Sequence, residues 1–242
     1  MRYVFITGTT GGLGSSLLGA FREDRIISIT RRKVKTDIRL YKEFHVDFLD
    51  EGTLEEEIMD IFGSIDPDAG DEIFLINNAG TVGPVKSVEN MDANGYLDNY
   101  KVNVLAPALF IKGFIRAFKS LDAQKKILTV SSGAALSPVE GWAAYCTSKA
   151  AVNMLSGVTR AETADFNSPV LSSTFRPGVI DTDMQKTIRE SDPKEFPNLD
   201  KFKNYKSEER LLDPDFVASI LKKIIAADDF AEAVNYDIAD YM

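Results

Sequence analysis

The sequence predicts an α/β protein: a single domain built on a doubly wound parallel sheet. Three observations carry this. Short apolar runs, rich in β-branched and aromatic residues, alternate with stretches of helical period, the order that lays helices on both faces of a parallel sheet. A glycine cluster, Thr7-Gly8-Thr9-Thr10-Gly11-Gly12-Leu13-Gly14, falls between the first run and the first helical stretch, where a backbone can turn tightly and approach a phosphate. The 242 residues suit one large domain, and no repeat, low-complexity tract or linker divides them.

Taken in order, residues 3–6 form the first strand, and the glycine turn opens a helix that runs to Phe21. Residues 25–30 form the second strand, which ends at Thr30 and is followed by Arg31, Arg32 and Lys33. The segment from there to Leu40 is short for a crossover helix and receives no assignment. Residues 43–46 form the third strand, ending at Asp47; His45, the only histidine, reads as a packing residue within it. Residues 51–62 place Leu54, Ile58, Ile61 and Phe62 on one side of a helix. Residues 73–76 form the fourth strand and lead into Asn77-Asn78-Ala79-Gly80, a tetrapeptide that favours a turn. Residues 92–120 read as one long helical stretch, and residues 125–130 as the fifth strand, which leads to Ser131 and Ser132.

A further helix opens just before Tyr145, after Pro138 and Gly141, and continues to Ala164. Its apolar stripe of Ala151, Met154, Leu155 and Val158 packs either on the sheet or on another subunit. Residues 170–175 form the sixth strand, which ends in a Pro177-Gly178 turn. Residues 185–212 are polar, carry Pro193 and Pro197, and read as a mobile excursion over the site that selects substrate. Asp213-Pro214 caps a helix with Phe216, Val217, Ile220, Leu221, Ile224 and Ile225 on one face, and residues 233–238 form the seventh strand.

Composition narrows the function classes. The formal net charge of −9 argues against a nucleic-acid or anionic-membrane surface, so bound phosphates must be met by local groups. A lone cysteine, Cys146, fits a reducing compartment. No leader and no apolar run long enough to span a bilayer is visible, so a cytoplasmic enzyme without a metal site is expected.

The chemistry concentrates in residues 130–152. Tyr145 and Lys149 are four residues apart, which stacks them on one helix face one turn apart. A free tyrosine titrates near ~10, and a neighbouring ammonium and the helix N-terminus both favour the phenolate, so a lowered Tyr145 pKa is expected. Ser132 at the preceding strand end is placed to hold a carbonyl oxygen while Tyr145 delivers a proton to it.

Together with the glycine cluster, these residues resemble the short-chain dehydrogenase/reductase family over almost the whole chain. The stretch GWAAYCTSKAA followed by Asn153-Met154-Leu155, and Asp181 to Gln185 (DTDMQ), are most similar to its sepiapterin and benzil reductase branch. The resemblance implies a Rossmann-type fold and a catalytic set of Asn103, Ser132, Tyr145 and Lys149. Ser132 rather than Ser131 has the family's separation from Tyr145. It also implies cofactor contacts from Gly8, Thr10, Gly12, Leu13, Gly14, Asp47, Asn78, Ala79, Gly80, Tyr145, Lys149, Pro177, Gly178, Ile180 and Thr182. NAD-preferring relatives carry an acid at the end of the second strand. Here Thr30 stands there, and the guanidinium groups of Arg31 and Arg32 suit the 2′-phosphate of NADP(H). Ser132, Trp142, Tyr145 and Met184 are expected at the substrate, and Asp237 or Asp240 in the place where sepiapterin reductase anchors its pterin. Pro107, four residues after Asn103, has no N–H and leaves the Asn103 carbonyl without a helical partner, free for the water that the family places against the catalytic lysine.

The implied activity is NADPH-dependent reduction of a vicinal dicarbonyl, either a benzil-like diketone or a sepiapterin-like pterin, by a homodimer or homotetramer. Two alternatives are the same chemistry on a β-ketoacyl or sugar carbonyl, and a catalytically silent NADP sensor. Occupation of all four catalytic positions favours the enzyme.

Overall fold

Seven apolar runs become seven strands, each buried on both faces except at the edges. The computed structural model describes residues 1–50, 52–230 and 232–242. The strands are β1 (Arg2–Thr7), β2 (Arg25–Thr30), β3 (Tyr41–His45), β4 (Glu72–Asn77), β5 (Gln124–Val130), β6 (Val170–Arg176) and β7 (Asn235–Asp237). They pair in parallel in the order β3-β2-β1-β4-β5-β6-β7. The helices are α1 (Gly12–Ala20), α2 (Leu54–Gly63), α3 (Ala93–Tyr100), α4 (Ala106–Phe118), α5 (Ala143–Thr163), α6 (Asp183–Arg189), α7 (Leu199–Ser207) and α8 (Pro214–Ala226).

Side-chain alternation along each strand feeds two cores. Tyr3 and Phe5 of β1, with Ile73 and Leu75 of β4, pack under α2 and α4; Val4, Ile6, Phe74 and Ile76 pack under α1 and α8. The first core is knit by edge-on aromatics around Phe62, which meets Phe110, Phe114 and Phe118 at 5.9–6.2 Å. The inner face of α5 is built from small polar residues, and Ser156 meets Ser172 of β6 at 2.9 Å in the interior. That close seat helps hold α5 against the sheet.

The strand order reverses at β1 and β4, which opens a crevice at the carboxyl ends of these strands. The glycine turn, the Asn77–Gly80 turn, Ser132 and the Pro177-Gly178 turn all lie on that edge.

Several expectations need correction. The long helical stretch is continuous from Ala93 to Phe118 but not uniformly α: a π turn, Lys101–Leu105, lies between α3 and α4, and the Ala106 N–H reaches back to the Lys101 carbonyl. Pro107, lacking an N–H, follows at once, so the α ladder cannot run through this point. His45 is not a packing residue; β3 is the edge strand, and the ring stands in solvent, 2.9 Å from Glu43 Oε1. Residues 185–212 carry structure that the sequence did not suggest: α6 runs into them from Asp183, α7 forms within them, and Ile188, Phe196, Leu199 and Phe202 are buried. The apolar stripe of α5 divides: Leu155 packs on the first core, while Met154 is 70% exposed and Val158 42%. The segment between β2 and β3 forms no helix. Helix α2 begins at Leu54; Glu51, its expected start, lies outside the described residues. Among the described residues no helix is long and apolar enough to cross a membrane.

Candidate active site

Helix α5 opens at Ala143, so Tyr145 stands in its first turn and Lys149 one turn further along the same face. Both are buried, at 7% and 5% exposure. The Lys149 ammonium lies 5.8 Å from the Tyr145 ring centre and donates to the Val130 carbonyl, the end of β5, at 2.8 Å. Ser132 leaves β5 in extended backbone, accepts the Ala134 N–H at 3.1 Å, and has its side chain beside the Tyr145 hydroxyl. The neighbouring Ser131 is turned inward and donates to Asn153 Oδ1 at 2.6 Å. The two serines are thereby distinguished: one faces the tyrosine and the other ties α5 to β5.

The electrostatics differ from the expected lowering of the Tyr145 pKa. Burial pushes the Tyr145 hydroxyl up, with the neighbouring Ser132 side chain opposing it. Burial also pushes Lys149 down to about 8. The ammonium is aimed at a carbonyl rather than at the hydroxyl, and the dry surroundings dominate. A tyrosine held protonated is a proton donor at rest, the form that carbonyl reduction consumes.

Asn103 lies in the π turn, fully enclosed. Its Nδ2 donates to the Thr81 carbonyl at 2.8 Å, to Asn99 Oδ1 at 3.0 Å and to Ser148 Oγ at 3.1 Å, and its Oδ1 accepts the Thr81 N–H at 2.9 Å. A Cβ added to Gly80 would stand 3.2 Å from Asn103 Oδ1 and 3.4 Å from Lys149 Nζ. The turn after β4, Asn103 and Lys149 therefore meet around one glycine. Sequence reasoning missed Asn99 and Ser148. The four-residue spacing from Asn99 to Asn103 on one helix face was the available signal for the first; adjacency to Lys149 says nothing of the second.

The crevice beside this set has the features of a dinucleotide site. Gly8 has φ +73°, and a Cβ there would lie 2.8 Å from Ala79 Cα; one on Gly14 would overlap the Gly8 carbonyl oxygen. Asn78 Nδ2 donates to the Thr7 and Gly8 carbonyls at 3.0 and 3.1 Å, and Thr7 Oγ1 accepts the N–H groups of Asn78 and Ala79, both at 3.0 Å. The turn is thus locked to the loop after β4. The first turn of α1 has no side-chain cap and no acidic residue, so its amides are available to an anion. Thr10 is exposed at the turn, whereas the Leu13 side chain is buried in the second core, which leaves its backbone to face the crevice. Ile180 is pinned by backbone pairing of its neighbours with Leu212, at 2.8 and 3.0 Å, and Thr182 touches the space beside Gly12. Pro177 is buried, and Gly178 turns outward at φ +72°. Arg31, Arg32 and Asp47 stand exposed at the ends of β2 and β3, and neither arginine has an ion-pair partner among the described residues. These residues fit a nicotinamide dinucleotide.

The cover over the tyrosine is aromatic. Trp142 stacks on Phe196 at 5.3 Å and 9°, meets Phe202 at 5.2 Å, and stands edge-on to Tyr145 at 5.5 Å. Trp142 is buried in this cluster, with Met184 at its margin. Phe196 and Phe202 come from the polar segment and left no sequence signal. At the C-terminus Asp237 is bound to Arg176 Nε at 2.8 Å and to the Ala239 N–H at 2.9 Å, a structural tie, whereas Asp240 is exposed.

The glycine turn, crevice and serine–tyrosine–lysine set together decide the family, and the comparisons agree. The short chain dehydrogenase model matches residues 2–193. The chain belongs to the short chain dehydrogenase family. Benzil reductase ((S)-benzoin forming) of Bacillus cereus is 37% identical, with 96% of this chain and 97% of that protein covered. Sepiapterin reductase of Meriones unguiculatus is 37% identical over 72% of this chain and 66% of its own length. The crystal structure of a short chain dehydrogenase/reductase from Saccharomyces cerevisiae superposes with a TM-score of 0.83 over the full length of both chains at 23% identity, a likeness of fold. As a short chain dehydrogenase of the benzil and sepiapterin reductase branch, the chain is an oxidoreductase of the CH–OH/C=O couple that uses a nicotinamide cofactor.

Proposed function

We propose that this short chain dehydrogenase reduces one carbonyl of a vicinal dicarbonyl with NADPH. The observation that carries the reading is the buried Tyr145, with Ser132 beside it and Lys149 one turn behind, at the edge of a crevice that fits a dinucleotide. The bound cofactor supplies the hydride. Ser132 holds the carbonyl oxygen, and the Tyr145 hydroxyl, kept protonated by burial, donates its proton to that oxygen. The Lys149 ammonium, fixed by the Val130 carbonyl, stabilises the phenolate that remains. The main-chain carbonyl of Asn103, in the π turn before Pro107, connects Lys149 to solvent through water for reprotonation.

Preference for NADP(H) is supported by the unpaired, exposed Arg31 and Arg32 after the neutral Thr30. The dicarbonyl substrate is supported by two Bacillus benzil reductases, at 37% and 32% identity, and by the sepiapterin reductases. Trp142 and Met184 line the approach to Tyr145, and the aromatic cover suits an aryl or pterin ring. The outward face of Met154 and Val158, with Leu97 and Leu105 also exposed, supports a homodimer or homotetramer. A cytoplasmic setting suits the free Cys146.

The test is NADPH and NADH oxidation with benzil, sepiapterin, simple monoketones and acyl thioesters. The expected outcome is a higher kcat/KM for benzil or sepiapterin than for the other two classes, with NADPH preferred. A preference for acyl thioesters, or tight NADPH binding without turnover of any carbonyl, contradicts it.

A further inference from the structure

The cover helix α6 carries cations that the glycine turn and the catalytic set do not use. A cavity of about 400 Å³ lies between the first turn of α1 and α6, with Gly12 and Ser15 on one wall and Thr182, Lys186 and Arg189 on the other. Positions 182, 186 and 189 are spaced i, i+4, i+7, so one helix face presents all three. The two walls approach closely at one end, where a Cβ on Gly12 would lie 2.8 Å from Thr182 Cγ2. This is the end where the open amides of α1 begin.

Arg189 Nη1 is buried and has no hydrogen-bond acceptor among the described residues. A guanidinium stays charged at any working pH, so an enclosed N–H of this kind calls for an anion. Among the described residues Lys186 pairs only with Glu190, at 4.0 Å and with both side chains well exposed, a weak tie. Two carboxylates also line the cavity. Asp181 is matched by Lys206 at 2.6 Å, while Asp183 stands exposed at the start of α6. With Asp181 matched, two cations and the α1 amides face one carboxylate, a balance that favours an anion.

We propose that Lys186 and Arg189 form a second clamp on the pyrophosphate of the nicotinamide cofactor, delivered from α6 opposite the glycine turn. This rests on the reading of the crevice as the dinucleotide site. The same segment continues into Phe196 and Phe202, so the clamp places the aromatic cover on the cofactor side of Tyr145.

The test is direct binding without substrate, by calorimetric titration of NADPH and of adenosine 2′-monophosphate, which carries the 2′-phosphate but no pyrophosphate. Arg189→Met is expected to weaken NADPH by about tenfold or more, the usual worth of a charge-assisted hydrogen bond, and to leave adenosine 2′-monophosphate unchanged. Lys186→Met gives a smaller loss of the same selectivity, and Arg189→Lys recovers part of the affinity. If Arg189→Met does not fold by circular dichroism, Lys186→Met and Arg189→Lys carry the comparison. Equal weakening of both ligands, or NADPH binding unchanged in the variants, overturns the clamp while leaving the cofactor reading intact. A wild-type protein that binds neither NADPH nor NADH overturns both.

Discussion

Lys149 is the residue at which stability and chemistry oppose each other. Its ammonium is buried with one carbonyl for company, and its pKa falls to about 8 from the ordinary 10.5. Below about pH 8 both folded and unfolded chains carry the proton and the full burial penalty applies. Between about 8 and 10.5 the unfolded chain binds more protons than the folded one, so folding stability rises with pH across that window. Lys149→Met is therefore expected to abolish reduction yet raise stability at neutral pH by about 1–2 kcal/mol, after about 1 kcal/mol is lost at the unpaired Val130 carbonyl. The gain should shrink as pH climbs through the window. Denaturant titrations at several pH values measure both, and a variant less stable than wild type at neutral pH contradicts the account.

At the scale of elements, legibility followed the signal each segment carries. The glycine turn and the buried strands were readable because φ, burial and period constrain residue choice tightly: β2 spans the expected residues, and β1, β4, β5 and β6 lie within one residue or so. The shared face of Tyr145 and Lys149 was readable from their helical spacing, whereas singling the pair out needed the Ser132 strand end, the glycine turn and the family resemblance. Helices α6 and α7 were not readable, because their few apolar residues are packed together only once they meet distant partners such as Trp142 and Tyr145. The π turn at Lys101–Leu105 was half legible: Pro107 announced a missing bond, but not the widened turn that accommodates it. The cover's docking is itself testable. Glu195 accepts the Ser87 N–H at 2.8 Å and Asn90 Nδ2 at 2.7 Å, and its carbonyl would lie 2.5 Å from a Cβ on Gly141, whose φ is +80°. Gly141→Ala should cost at least about 1 kcal/mol of stability and raise KM for the dicarbonyl, with NADPH affinity close to wild type. An unchanged melting temperature and KM would show that the cover does not rest on this glycine.

At the scale of the whole molecule, the parallel sheet collects the glycine turn, the Asn77–Gly80 turn and Ser132 on one edge, and α5 brings Tyr145 and Lys149 to the same edge. The opposite side of α5 is left apolar and open, with Met154 at 70% exposure. If that face joins copies of the chain, Met154→Glu should shift a dimer or tetramer to monomer in sedimentation velocity without altering NADPH affinity; a monomeric wild type contradicts it. The central claim is that this edge transfers a proton from Tyr145 to a carbonyl as the cofactor reduces it. The most direct measurement is steady-state NADPH oxidation with benzil by wild type and Tyr145→Phe, with NADPH affinity titrated in parallel. The account predicts that the variant binds NADPH normally and loses about 10² to 10⁴ in kcat. A variant that binds NADPH and turns over benzil at close to the wild-type rate would contradict it.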